Sequence, residues 1–296
     1  VPLSFPLPLL HTRAWLCLQP AALPRASERG YVVMIMEEPG DDPQPPASYR
    51  YLVEESGTDG LLLATSLRIP AHADGGPPGR LTPVPHVYVN RRGPERGNDV
   101  VMDEPRAVRL FVDHVAGLGH RSVALIDGPS AVDTVHRREI AARRICAGRG
   151  IDLTVLHAAG TEEGGWAATQ RLLHRGAPDH SAPHHKAPST ACAVGSLNQL
   201  FGVMAALRAA GLAVPADMSV VSLDEDECLP FLDVPVTSVA MPLAELGSAA
   251  VDALITRIDQ GEPGELGDIM IREPMSLVLR QSVAAPPAGP PDQKGR

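Results

Sequence analysis

The chain has 296 residues, a net charge of −9 and 44% hydrophobic residues, enough for one large domain or two ordinary subdomains around a sizeable core. Its only lysines are Lys186 and Lys294, so positive charge rests on scattered arginines, and the absence of a phosphate-tracking stripe argues against tight nucleic-acid binding by this chain alone. Cys17, Cys146, Cys192 and Cys228 lie far apart without a CxxC pair, which points to reduced core thiols of a cytoplasmic protein and not to a disulfide framework.

Residues 1–27, VPLSFPLPLLHTRAWLCLQPAALPRAS, show no clear period and form an atypical N-terminal segment. Pro2, Pro6, Pro8 and Arg13 make the apolar start a poor secretion signal, and Pro20 and Pro24 are expected to interrupt any helix leading into Gly30. From there, short apolar runs alternate with helix-period segments. Candidate strands are 31–36, 59–64, 85–90, 122–127, 153–157, 190–195, 218–223, 236–240 and 276–280. Most are apolar throughout, as parallel strands covered on both faces are. Val108, Phe111, Val115 and Leu118 mark one helix face, and Leu200, Met204, Leu207 and the nearby Leu212 a second. Leu243, Leu246, Ala250, Leu254 and Ile258 mark a third, opened by Pro242 and closed by Gly261. Trp166, Thr169, Leu172 and Leu173 define a further face, with Trp166 expected as a packed core residue, the alternative being a sugar-stacking aromatic. Such alternation implies a doubly wound α/β architecture, in which ligands sit at the carboxyl ends of strands. Residues 68–85 and 176–188 are Pro- and Gly-rich loops, and the tail, 283–296, reads as disordered. No run nears the roughly 20 apolar residues that span a bilayer, so no membrane partner is expected.

Several segments, taken together, resemble the sensor domain of the LacI/GalR family of bacterial transcription regulators. They are DGLLLA at 59–64, PHVYVNR at 85–91, LGHRSVALIDGP at 118–129, RREIAARRICAGRGI at 137–151, GLAVPADMSVVSLDED at 211–226 and VPVTSVAMPLAELG at 234–247, with SLVLRQS at 276–282. The resemblance implies a periplasmic-binding-protein-like fold of two subdomains joined by three crossovers near 115–121, 236–241 and 265–270. One subdomain would take 28–117 plus 241–265, the other 118–240 plus 266–282. It further implies a small effector, commonly a sugar or nucleobase, held in the cleft between subdomains, with no cofactor, and a homodimer whose DNA reader is an N-terminal helix-turn-helix. No segment before Gly30 reads as that reader, so DNA is expected as a partner only where the full protein supplies one. The family's first strand and first helix are expected to be degenerate, replaced by the proline-broken residues 1–24, with the coding sequence truncated or frame-shifted upstream of about Arg25.

By the same resemblance Arg138 stands at the effector-contacting arginine of an RxxG element, with Ala141 in place of the glycine; the alternative is a surface arginine paired with Glu139. A guanidinium fork suits vicinal hydroxyls, a carboxylate or a base edge. Asp224, after the strand MSVVSL, stands where the family places a carboxylate that accepts from ligand hydroxyls, while Glu225, Asp226 and Glu227 read as a solvated acidic loop or helix start. Asn90 ends the strand HVYVN and is either a polyol contact or a turn residue. Ser196 and Leu197 stand where relatives carry Asn-Asp: Ser196 still caps a helix, and Leu197 makes the site less polar. Thr134, one turn before Arg138, is a ligand contact or an N-cap. His174, His180, His184 and His185 with Asp179 offer weak metal ligands on a proline-rich loop. Nothing resembles a nucleophile elbow, a phosphate loop or a zinc-protease helix. The sequence therefore points to an effector-sensing domain of a transcription regulator, with a solute-binding protein of a sugar transporter and an enzyme on a similar scaffold as alternatives.

Overall fold

The computed structural model describes residues 2–8, 18–38, 57–64, 84–93, 97–175, 189–260, 267–272 and 274–287. Backbone contacts divide the chain into two units. Unit 1 is Val1–Glu104, Ser130–His136 and Met241–Met275; unit 2 is Pro105–Pro129, Arg137–Ala240 and Ser276–Arg296.

Unit 1 is built on a parallel sheet of six strands: β1 (Pro2–Pro8), β2 (Val32–Glu38), β3 (Gly60–Leu63), β4 (His86–Val89), β5 (Asp99–Met102) and β11 (Ile269–Ile271), in the order β11-β5-β4-β3-β1-β2. Every residue of β3, β4 and β5 is buried, as in parallel strands covered on both faces. Helix α1 (Gln19–Glu28) and helix α6 (Leu243–Gln260) contribute Leu18, Ala22 and Ala26, and Leu246, Ala250, Val251 and Leu254, to one core with Leu62, Val87 and Val100. The guanidinium of Arg25 joins α1 to Asp252 of α6 at 2.8 Å.

The expected loss of a first strand and helix is therefore wrong. β1 is an inner strand of the sheet, and residues 1–27 belong to unit 1. Along a parallel strand, a residue's N–H and C=O point to the same neighbour, and alternate residues face opposite neighbours. Pro2 accepts from the Asp59 N–H on the β3 side, so Pro2, Pro6 and Pro8, all even-numbered, lack donors only on that side. There the pairing is limited to Leu3–Ser4 against Gly60–Leu61, while the ladder to β2 uses the odd residues. In α1, Pro20 lies at the first positions, where no N–H is required. Pro24 forfeits a single bond, to the carbonyl of Pro20, at a cost of about 3 kcal/mol. Burial of Leu18 and of the two alanines offsets a similar amount.

Unit 2 has its own six-stranded sheet of β6 (Ser122–Asp127), β7 (Asp152–His157), β8 (Ala191–Val194), β9 (Ser219–Ser222), β10 (Thr237–Ala240) and β12 (Ser276–Val278). The order is β12-β10-β9-β8-β6-β7, with only β12 antiparallel to its neighbour. Its helices are α2 (Glu104–Gly117), α3 (Asp133–Gly148), whose first four residues belong to unit 1, α4 (Glu162–Arg175) and α5 (Leu197–Ala209). α4 and α5 cross at backbone contact. A methyl group on Gly202 would overlap the Glu162 carbonyl and the Trp166 N–H, and one on Gly165 would overlap the backbone of Gln199. Trp166 is 40% exposed, contrary to its expected place in the core, because the crossing uses glycine, Ala168, Thr169 and Leu172 as its buried face.

The expected subdomain boundaries shift. The chain passes between units at 104/105, 129/130, 136/137, 240/241 and 275/276. All but the first residue of α2 belongs to unit 2, and 266–275 belongs to unit 1, because β11 pairs with β5. The tail is ordered as far as the structure describes it: the Ala284 carbonyl accepts from His120 Nε2 at 2.8 Å and from Ser219 Oγ at 3.1 Å. LGHR explains that anchor. Gly119 adopts φ +99, which closes α2 with a left-handed residue, and His120 turns into unit 2, fully buried, reaching Thr190 Oγ1 at 2.8 Å. Burial lowers the pKa of its imidazole below the usual value. Residues 68–83, 176–188 and 288–296, with His180, His184, His185 and Asp179, lie outside the described residues. Among those described, no helix is long and apolar enough to cross a membrane.

Candidate functional site

At the carboxyl edge of the unit 2 sheet, the neighbouring strands β6, β8 and β9 end in Asp127, in Gly195–Ser196 and in Asp224. Arg138, in the second turn of α3, reaches this edge and is 6% exposed, which decides against a surface arginine. Its Nη1 donates to both carboxylate oxygens of Asp127, at 3.2 and 3.1 Å, and to the Gly195 carbonyl at 3.1 Å. Asp127 Oδ1 also accepts from the Gly128 N–H at 2.8 Å. Gly195 is glycine for a steric reason, since a Cβ there would collide with Asp127 Oδ1. The partner anticipated for a surface arginine, Glu139, is engaged elsewhere, by Arg143 and by His157 Nε2 at 3.0 Å.

Ser196 has extended backbone and caps α5, its Oγ accepting from the Gln199 N–H at 3.3 Å. Gln199 is fully buried and donates to the Ala158 and Ala159 carbonyls, tying the start of α5 to the loop after β7. Sequence reasoning missed Gln199, although the spacing Ser196-x-x-Gln199 is that of a capping box. Leu197 does not make the edge less polar: it is 2% exposed and packs into the unit 2 core with Leu156, Ala168 and Leu200.

Asp224 is half-buried, and its backbone is fixed by Ser222, whose Oγ accepts from the Asp224 N–H at 3.2 Å and donates to its carbonyl at 2.6 Å. The acidic residues beyond it are not a uniformly solvated loop. Glu225 pairs with Arg280 at 2.6 Å and with Ser238, and Asp226, 9% exposed, accepts from the N–H of Cys228, the residue before the 3₁₀ turn Leu229–Phe231, at 2.9 Å. Only Glu227 of the three is exposed.

In unit 1, Asn90 follows β4 with φ +51, a left-handed position that asparagine tolerates better than most residues. Its Oδ1 accepts from the Met102 N–H at 3.4 Å. The adjacent Arg91, 9% exposed, donates to the Asn90 carbonyl and to Thr134 Oγ1. Asp133 accepts from the Arg92 N–H at 3.2 Å. Thr134 thus acts as an acceptor for a buried arginine that sequence reasoning passed over. Nearby, Asp99 receives the Gly93 N–H at 2.9 Å, and burial pushes its pKa up to about 7.

Unit 2 also carries a groove of about 710 Å³ lined by Phe201, Met204, Leu212, Val214, Phe231 and Val234, in which Phe231 is 86% exposed. Among the described residues no three His, Cys, Asp or Glu side chains gather as a metal site. The unit 2 edge can therefore offer hydrogen-bond donors and acceptors to a polar ligand.

A family model for the periplasmic binding protein-like domain matches residues 112–283. An HTH-type transcriptional regulator from the aml 5′ region of Streptomyces limosus is 34% identical over 215 residues, which cover 70% of this chain and 58% of that protein. The lactose operon repressor of Escherichia coli is 28% identical over 213 residues, 69% of this chain and 53% of the repressor. The chain thus spans under two thirds of the length of either relative. Among solved structures, a LacI family transcriptional regulator from Mycobacterium smegmatis superposes with a TM-score of 0.80 at 26% identity, covering 96% of this chain and 99% of that one. The LGHR helix stop and the carboxyl-edge residues fall within the matched span, and the chain belongs to the periplasmic binding protein-like family, with the sensor part of LacI-type regulators among its relatives.

Proposed function

We propose that this chain is the effector-sensing part of a cytoplasmic transcription regulator and binds a small, hydroxyl-rich, sugar-like metabolite at the carboxyl edge of its unit 2 sheet, through Arg138, Ser196 and Asp224. The observation that carries this reading is the position of Arg138: a buried guanidinium held at the ends of β6 and β8, where open α/β sheets take their ligands. A ligand that prefers one conformation of the regulator shifts the population by its differential affinity and no more, which is how binding would reach the DNA reader. DNA contact is assigned to a helix-turn-helix elsewhere in the full protein. Self-association as a homodimer is assigned to the apolar groove around Phe231, since so exposed a phenylalanine beside other apolar side chains is an interaction surface. Asn90 and Thr134 are assigned to the structural contacts described above. Neither an enzyme nor a transporter's solute-binding protein has an observation in its favour, the named relatives being transcription regulators.

Calorimetric titration with pentoses, hexoses, disaccharides and purines tests the reading. One of these sugars is expected to bind stoichiometrically without turnover, and Arg138→Ala to weaken it more than tenfold. A folded protein that binds none of them refutes the sensor; unchanged affinity in the variant removes Arg138 from the site.

A further inference from the structure

Asp127 has no assigned role, yet it governs what Arg138 can offer. Both side chains are buried, 4% and 7% exposed, and their closest approach is 3.1 Å. The carboxylate spends both oxygens on one guanidinium nitrogen, and the Gly195 carbonyl takes a third contact with that same nitrogen. The absent Cβ at Gly195 makes room for this arrangement, so the turn after β8 is shaped around the ion pair.

We propose that Asp127 is a specificity-determining residue that neutralises Arg138, so that the unit 2 edge accepts an uncharged polyol and rejects phosphorylated or carboxylated sugars. The inference rests on the effector reading above. In a buried site an ionic ligand must be compensated, and here the compensating cation is already matched by a carboxylate fixed on the adjacent strand. The next charged side chain along the edge, Asp224, is again acidic and adds no positive charge. Glu139 with Arg143 and His157, and Glu225 with Arg280, are locally paired and supply no net positive charge. Discrimination of this kind works by repulsion as much as by attraction.

The test titrates the full chain with matched probes: glucose, galactose and ribose against glucose 6-phosphate, galacturonate and ribose 5-phosphate. The wild type is expected to bind a neutral sugar at least tenfold more tightly than its anionic counterpart. Asp127→Asn, which leaves the guanidinium uncompensated, should move that ratio at least tenfold toward the anion. Asp127→Ser, which likewise removes the charge, carries the same expectation should the amide variant not fold. Equal or tighter binding of the anion by the wild type, or an equal loss for both probes in the variants, overturns the inference while leaving a sensor in place. Binding of neither series overturns the sensor and the inference together.

Discussion

Replacing Gly202 by alanine sets two effects of opposite sign against each other. In the interior of a helix, alanine is favoured over glycine by about 1 kcal/mol, so on propensity alone Gly202→Ala should stabilise α5. The new methyl group, however, would overlap the Glu162 carbonyl and the Trp166 N–H of α4. Those are backbone atoms within a helix and cannot rotate away, so relief requires the two helices to part along their whole crossing. The facing contact of Gly165 with the Gln199 backbone would open too, and with it the anchor of the capped α5 terminus. Overpacking of this kind costs about 1–3 kcal/mol and more where the backbone must move. Net destabilisation of about 1–2 kcal/mol follows, or a fall in Tm of roughly 2–8 °C for a domain of this size. Thermal unfolding followed by circular dichroism measures it. Gly148→Ala, at the end of α3 with nothing within 4 Å of the added carbon, is the control and should leave Tm unchanged or slightly raised. A Gly202→Ala protein as stable as the wild type would refute the close crossing.

Asp99, with its folded pKa raised to about 7 by burial, binds a proton more readily in the folded state than in the unfolded state, so its contribution to stability is present at acid pH and is lost as pH rises from about 4 through 7. Asp99→Asn keeps an acceptor for the Gly93 N–H and should come closest to the wild type near pH 4 while melting progressively higher than it toward pH 8; a constant difference in melting temperature between pH 4 and pH 8 would contradict this. Burial pushes the Cys192 thiol up to about 12 and the Cys146 thiol up to about 11, whereas Cys228 is only half-buried. Alkylation of the native protein, mapped by peptide mass, should therefore modify Cys228 before Cys146 and Cys192, and the reverse order would count against the described packing.

Nine strands were legible because their residues are apolar, β-branched and bounded by turn signals, and β6 matches its sequence limits residue for residue. Three were not. β1 hides behind its prolines, which are harmless only because all three face the short side of its pairing. β5 begins with the buried Asp99, and β11 has three half-buried residues that acquire strand character only from the ladder to β5. Of the site residues, Ser196 could be read locally, since capping depends on neighbours three positions away. Arg138 came from the family likeness. Asp127 was overlooked, as a carboxylate ending an apolar strand looks the same whether it faces solvent or a buried guanidinium.

What this sequence determines by itself is what depends on nearest neighbours along the chain: the alternation of apolar strands and amphipathic helices, the LGHR stop built on Gly119, the Ser196 cap, and through them a doubly wound α/β class. Tertiary structure decided the rest. Asp127 meets Arg138 across 11 residues and Gly195 meets Arg138 across 57, and the charge of the edge is the product of those meetings. No period or propensity encodes them, because the energy of a buried charge is set by what stands opposite it in space and not by what stands beside it in the chain.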